Sequence, residues 1–121
     1  MKITRFEDIV SWHKAQDLAI RIYEVFNNLK DYEFANQIRR AVISISNNIS
    51  EGFERSSDAD FVRMLYIAKG SAAEVRSMVY LGYRLHYMNE EIKTELLQST
   101  TEINRLITAL IKSIGSRGRG L

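Results

Sequence analysis

Cysteine and proline are both absent from the 121-residue chain, and glycine occurs only six times. Without cysteine there is no disulfide and no thiolate chemistry, which is compatible with a reducing cytoplasm. Without proline and with so few glycines, a turn-rich β architecture is disfavoured and long uninterrupted helices are expected. No apolar run approaches the ~20 residues that span a bilayer. The opening stretch MKITRFEDIVSWHKAQD is charged throughout and lacks the apolar centre of a signal peptide. A cytoplasmic protein with no membrane partner is the expectation. An excess of charge of one sign is also missing: 17 Lys and Arg face 15 Asp and Glu, a net +2. That balance points only weakly toward an anionic partner.

What is present is a 3.6-residue apolar period in four segments. The first helix is expected to start near Thr4, where TRFE has the form of a capping box, and to end around Leu29 with Ala15, Leu18, Ile22 and Val25 in its stripe. The second spans Tyr32 to Arg55, with Phe34, Ile38, Ala41, Val42, Ile45, Ile49 and Phe53 inward. Ser57 is the expected cap of a third helix over Asp58 to Met88, whose core face carries Phe61, Met64, Leu65, Ala68, Ala72, Val75, Val79 and Gly82. Asn89 caps a fourth, Glu90 to about Ile114, with Ile92, Leu96, Ile103, Ile107 and Leu110 inward and Gly115 as its stop. Short breaks between amphipathic helices imply antiparallel neighbours. The fold class is therefore all-α, an antiparallel up-down-up-down four-helix bundle over 1–115, followed by a flexible basic tail over 116–121.

The helices differ in how many sides are apolar. Helix four is one-sided, with Thr94, Thr101, Arg105 and Lys112 opposite its stripe. Helix three adds Val62, Tyr66, Ala73 and Tyr80 on its far side, with the small residues Gly70 and Ser77 between them, and helix two points Ile43 away from its core stripe. A helix apolar nearly all round needs cover on all sides. Scattered exposed hydrophobics are normal, but several on one face with small residues among them predict a subunit interface built from Ile43, Val62, Tyr66, Gly70, Ala73, Ser77 and Tyr80.

The stretch SISNNISEGFERSS (Ser44–Ser57) concentrates poor helix formers inside a helix. On a helical wheel Gln37, Arg40, Ser44, Asn48, Glu51 and Arg55 form one polar row beside the apolar stripe. Ser71 and Glu74 border the core face of helix three and offer a matching edge. A structural polar network of Arg40, Ser44, Asn48, Glu51, Arg55, Ser71 and Glu74 is expected, within one chain or between chains, with a solvated edge as the other reading. Glu51 and Arg55 are also spaced for an i,i+4 ion pair.

These residues carry a resemblance. Arg39, Arg40, Ser44, Ile45, Asn48, Ile49, Glu51, Gly52 and Arg55, then Gly70, Ser71 and Glu74, resemble the signature of the four-helix-bundle proteins encoded within intervening sequences of bacterial 23S ribosomal RNA genes. Trp12, His13, Lys14 and Ala15 match the family's opening. The chain departs in lacking a proline in the first interhelical turn and in Asn47 and Ser50. The resemblance implies a homo-oligomer, a pentamer above all. The resemblance extends to the related accessory proteins of diversity-generating retroelements, which bind nucleic acid and a reverse transcriptase. It carries no catalytic assignment.

Chemistry is scarce otherwise. There is no phosphate loop, nucleophile elbow or HExxH, and neither histidine lies three residues after a glutamate as di-metal bundles require. His13 with Asp17 and His86 with Glu90 have i,i+4 spacing, but the second pair straddles the Asn89 break. Glu51 and Glu74 could share a site as paired carboxylates, although arginine pairing is simpler. No enzyme, metal or cofactor is predicted. The sequence pI near 9.0, with Arg105, Lys112, Arg117 and Arg119, predicts weak phosphate contact with RNA or DNA, multiplied by copy number. A protein-interaction scaffold is the rival reading.

Overall fold

The computed structural model describes residues 3–117, the side chains of 116 and 117 excepted. Among the described residues there are four α-helices and no strand: α1 (Val10–Val25), α2 (Tyr32–Phe53), α3 (Asp58–Arg84) and α4 (Glu90–Arg117), preceded by a 3-10 turn at Phe6–Asp8. Each helix packs on two others. α1 meets α2 and α4, α3 meets α2 and α4, and the diagonal pairs make no close backbone approach.

The amphipathic stripes explain this arrangement. Ile22, Ile38, Ile45, Ile49, Phe61, Leu65, Val75, Leu96, Ile103 and Ile107 are fully buried in one cluster, each contributing ~1.5–3 kcal/mol by leaving water. Partners across the seams have opposed numbering. Between α2 and α3 they are Gln37 with Glu74 and Ser44 with Ser71. Between α1 and α4 they are Lys14 with Glu102 and Arg21 with Glu95. Arg21 and Glu95 form a bidentate pair, with Nε donating to Oε2 at 2.7 Å and the terminal nitrogen to Oε1 at 3.0 Å. This hydrogen bonding holds the Glu95 carboxyl below the usual range and the Arg21 guanidinium above it.

The ends are set by side chains. Ser57 accepts from the Asp60 amide and Asn89 from the Ile92 amide, capping α3 and α4. Asp31 accepts from the Phe34 amide to cap α2. α3 ends with His86 in the left-handed region (φ 64°) and the Tyr87 amide donating to the Gly82 carbonyl at 2.8 Å, a Schellman-type closure. Gly52 sits against Phe61 and Met64 and lets α2 and α3 approach closely next to their turn.

Five boundaries differ from those expected. α2 ends at Phe53 rather than Arg55, and α3 at Arg84 rather than Met88, where the left-handed His86 closes it. The capping box at Thr4 does not form. Glu7 and Asp8 instead face Arg5 at 3.8 and 3.7 Å, and the extended Ile9 interrupts the helix. The bend buries Ile9 and sets Phe6 edge-on to Trp12 with ring centroids 5.2 Å apart, which burial favours over a continuous helix. α1 stops at Val25, with Phe26 buried in the turn beyond it. α4 does not stop at Gly115 but continues to Arg117, since a glycine lowers helix propensity without forbidding helix.

Candidate functional site

The α2/α3 seam is a short hydrogen-bonded chain. Asn48 Nδ2 donates to the Ser44 carbonyl at 2.8 Å and to Ser44 Oγ at 2.9 Å, and Ser44 Oγ meets Ser71 Oγ at 2.8 Å. About two turns away along α2, and one along α3, Gln37 Nε2 donates to the Glu74 carboxylate at 2.5 Å. Serine and asparagine, awkward in a helix interior, here satisfy one another at the half-buried edge. Arg40 and Glu51 are exposed and outside this chain of bonds. Arg55 turns from Glu51 to Asp60, across the interhelical turn, at 3.6 Å. Glu51 and Glu74 are not brought together. Glu51 borders a separate depression with Phe6, Glu54 and Arg55, whereas Glu74 faces Gln37.

Most exposed large apolar residues other than Val10 and Tyr32 lie on two flanks, one along α3 and its C-cap Leu85. On α3, Tyr66, Ile67, Tyr80, Leu81 and Leu85 are exposed, Tyr66 by 57%. Gly70, Ala73 and Ser77 are exposed among them, and Val62 is half-buried. Ile43 lies elsewhere. Arg39, one turn before it, stacks its guanidinium 5.0 Å from the Tyr23 ring and donates to the Phe26 carbonyl, so this flank of α2 faces α1. Ile43 therefore belongs with the exposed Ile20 and Tyr23. Arg39 Nε has no partner among the described residues.

Between α3 and α4 runs a groove. Its floor and walls are short side chains, Ala72, Ala73 and Ser77 against Thr100, Thr101 and Asn104, which leave a depression of about 450 Å³. Lys69 and Arg76 border it on α3. Through Tyr80 and Thr101 it continues into a wider depression reaching Lys93 and Arg105. Neither Arg76 nor Arg105 forms an ion pair among the described residues. Lys69 lies 5.7 Å from the Tyr66 ring centroid, and Lys93 lies 4.2 Å from that of Tyr83 and 3.9 Å from Glu90; of the three tyrosines of this region, Tyr80 is the one that lines the depressions. Glu102, the carboxylate beside the groove, is engaged by Lys14 of α1 at 3.6 Å.

Of the four basic residues singled out in the sequence, Arg105 lines this groove and Lys112 is exposed farther along α4. Arg117 is the last residue of α4, its side chain outside the described part, and Arg119 lies outside the described residues. Lys69 and Arg76 were missed. Their seven-residue spacing on the α4-facing edge of α3 was the available signal, hidden because that helix drew notice for its apolar residues. Among the described residues no three His, Cys, Asp or Glu side chains are grouped to hold a metal, and no helix is long and apolar enough to cross a membrane.

Comparison with known proteins adds a family. The model of the 23S rRNA-intervening sequence protein family matches residues 7–109. Solved structures similar to the chain include a protein of unknown function from the S23 ribosomal protein family of Bacteroides thetaiotaomicron, 34% identical, with a TM-score of 0.80. The match covers 85% of this chain and 99% of that one. No curated protein sequence matches the chain.

Proposed function

Since the chain belongs to the 23S rRNA-intervening sequence protein family, we propose that it is a non-enzymatic, self-associating binding protein of the cytoplasm that contacts RNA through the basic edge of α3 and α4. The family description names ribosomal RNA and the relative's description a ribosomal protein family; neither assigns an activity. The observation that carries the reading is the α3/α4 groove, where Arg76 and Arg105 are exposed without an acidic partner among the described residues. Guanidinium groups left unpaired beside a concavity are suited to phosphate.

The reading includes an up-down-up-down bundle, supported by the opposed numbering of seam partners. It also includes assembly into a homo-oligomer, a pentamer from the resemblance, supported by the exposed Tyr66 and Ile67 of α3, which lie outside the α3/α4 groove. Several copies would multiply a modest basic edge into a surface that neutralises many phosphates. Titration of structured RNA at increasing salt tests it. Affinity should fall linearly on a log-log plot as counterions are released. Absence of binding at low salt removes the reading.

A protein-interaction scaffold is favoured by a different observation: the depression between α2 and α3 lined by Tyr32, Met78, Leu81 and Leu85. Co-purification before and after nuclease treatment separates the two. An association lost with nuclease is bridged by RNA, and one that survives is a protein contact.

A further inference from the structure

We infer that the α3/α4 groove takes a single-stranded segment of nucleic acid, with a base stacked on Tyr80 and phosphates on Lys69, Arg76 and Arg105. The inference rests on the RNA reading above and deepens it by naming the form of nucleic acid and the side chains that hold it. Three observations carry it.

The first is shape. Proteins read a duplex by inserting a convex element, a helix or ribbon, into a groove about 12 Å wide. Here Lys69 and Arg76 flank a concavity between α3 and α4, which opens past Tyr80 onto a depression along α4 that reaches Lys93 and Arg105; axes of neighbouring helices lie ~8–10 Å apart. Such a trough is too narrow for a duplex and admits one strand. From Lys93 to Arg105 it follows α4 for ~18 Å at ~1.5 Å per residue, a length for a few nucleotides.

The second is an exposed ring set among cations. Lys69 sits against Tyr66 and Lys93 against Tyr83. Tyr80, 46% exposed, lines both halves of the groove. Proteins that hold single strands combine a cationic track with aromatic platforms for unstacked bases. A duplex keeps its bases stacked inside and would leave Tyr80 idle.

The third is uncommitted polarity. Asn104 and Ser77 line the same depression, and their side-chain polar groups make no hydrogen bond among the described residues. Both can reach base edges or a 2′-hydroxyl, groups that a single strand exposes.

Fluorescence anisotropy with the full chain tests the inference, using a single-stranded RNA of about 12 nucleotides, within the site-size range of such proteins, and a duplex of equal length. Wild type should prefer the single strand. Tyr80→Ala should weaken single-strand binding ~5- to 150-fold, the range for loss of one base stack, while Tyr80→Phe retains it and neither alters the salt slope. Arg76→Gln and Arg105→Gln should each make that slope shallower by ~0.7. Circular dichroism and native mass are measured for every variant. Duplex binding as tight as single-strand binding, or a Tyr80→Ala variant that binds normally, overturns the groove assignment and leaves the RNA reading standing. Tyr80→Ala that changes the native mass but not the affinity also overturns it, placing Tyr80 in a subunit contact. No binding of either RNA at low salt overturns both.

Discussion

Tyr87 Oη donates to Asp31 Oδ2 at 2.5 Å, across 56 residues of sequence. The other oxygen of that carboxylate accepts the Phe34 amide, so one side chain caps α2 and ties the α1–α2 turn to the α3–α4 turn. The tyrosine hydroxyl first, then the backbone amide, hold the Asp31 carboxyl below its ordinary range, and the bond raises the Tyr87 phenol. The signs give two limbs. The Asp31 contribution is present above the unfolded carboxylate value, ~3.9, and is lost as pH falls through the lower folded value. The Tyr87 contribution is present below ~10 and is lost as pH rises through the higher folded value. Melting temperature followed across pH should show both limbs in wild type and flatter ones in Tyr87→Phe. Superimposable profiles would refute the coupling.

Two glycines should respond oppositely to alanine. At Gly52 a Cβ would lie 3.0 Å from Met64 Cβ and 3.0 Å from Phe61 Cδ1. Overpacking costs ~1–3 kcal/mol, outweighing the ~0.8–1 kcal/mol gained in helix propensity. At Gly70 nothing lies within 4 Å, so only the gain remains in a single chain. Denaturant unfolding at high dilution should place Gly52→Ala below wild type and Gly70→Ala above it.

The Ser44–Ser71 bond should be measurable as a coupling. Ser71→Ala leaves Ser44 its bond from Asn48, and Ser44→Ala removes both. A double-mutant cycle of the two alanine variants should return ~0.5–1.5 kcal/mol, the net worth of one hydrogen bond. A coupling within error of zero would mean that water serves each hydroxyl equally well.

Much of this was legible before the structure because a long amphipathic period leaves little freedom. The stripes of α2, α3 and α4 occupy the core, and Ser57 and Asn89 start the helices they were expected to start. The polar row was visible as a row, but its partners were not. Arg55 had a local option in Glu51 and a nonlocal one in Asp60, and only the path of the turn chose between them. The start of α1 misled for a similar reason, since the local box at Thr4 competed with burial of Ile9. Ile43 of α2 was grouped with the α3 residues in one interface because a wheel gives direction from one axis, not which neighbour lies there. The basic groove escaped notice because it is made by two helices and belongs to neither sequence segment.

The proposed assembly, and its geometry, can be tested through the exposed apolar residues of α3 and α1; a wild-type native mass of one chain would refute the assembly itself. Tyr66 lies on α3, and Ile20, 61% exposed, lies on α1; these helices are diagonal across the bundle. A two-fold dimer uses the same patch on both subunits, whereas a closed ring joins two different patches head to tail. A ring therefore needs both α3 and the α1 side, and a dimer through α3 does not need Ile20. Native mass should fall toward the 14.0 kDa of one chain for Tyr66→Arg and equally for Ile20→Arg. Mixing the two variants should restore one intact contact, from the unaltered α3 of one to the unaltered α1 side of the other, and stop at a pair. If Ile20→Arg keeps the native mass while Tyr66→Arg loses it, the contact is α3 on α3. If neither loses it, the exposed α3 residues are not what joins the copies.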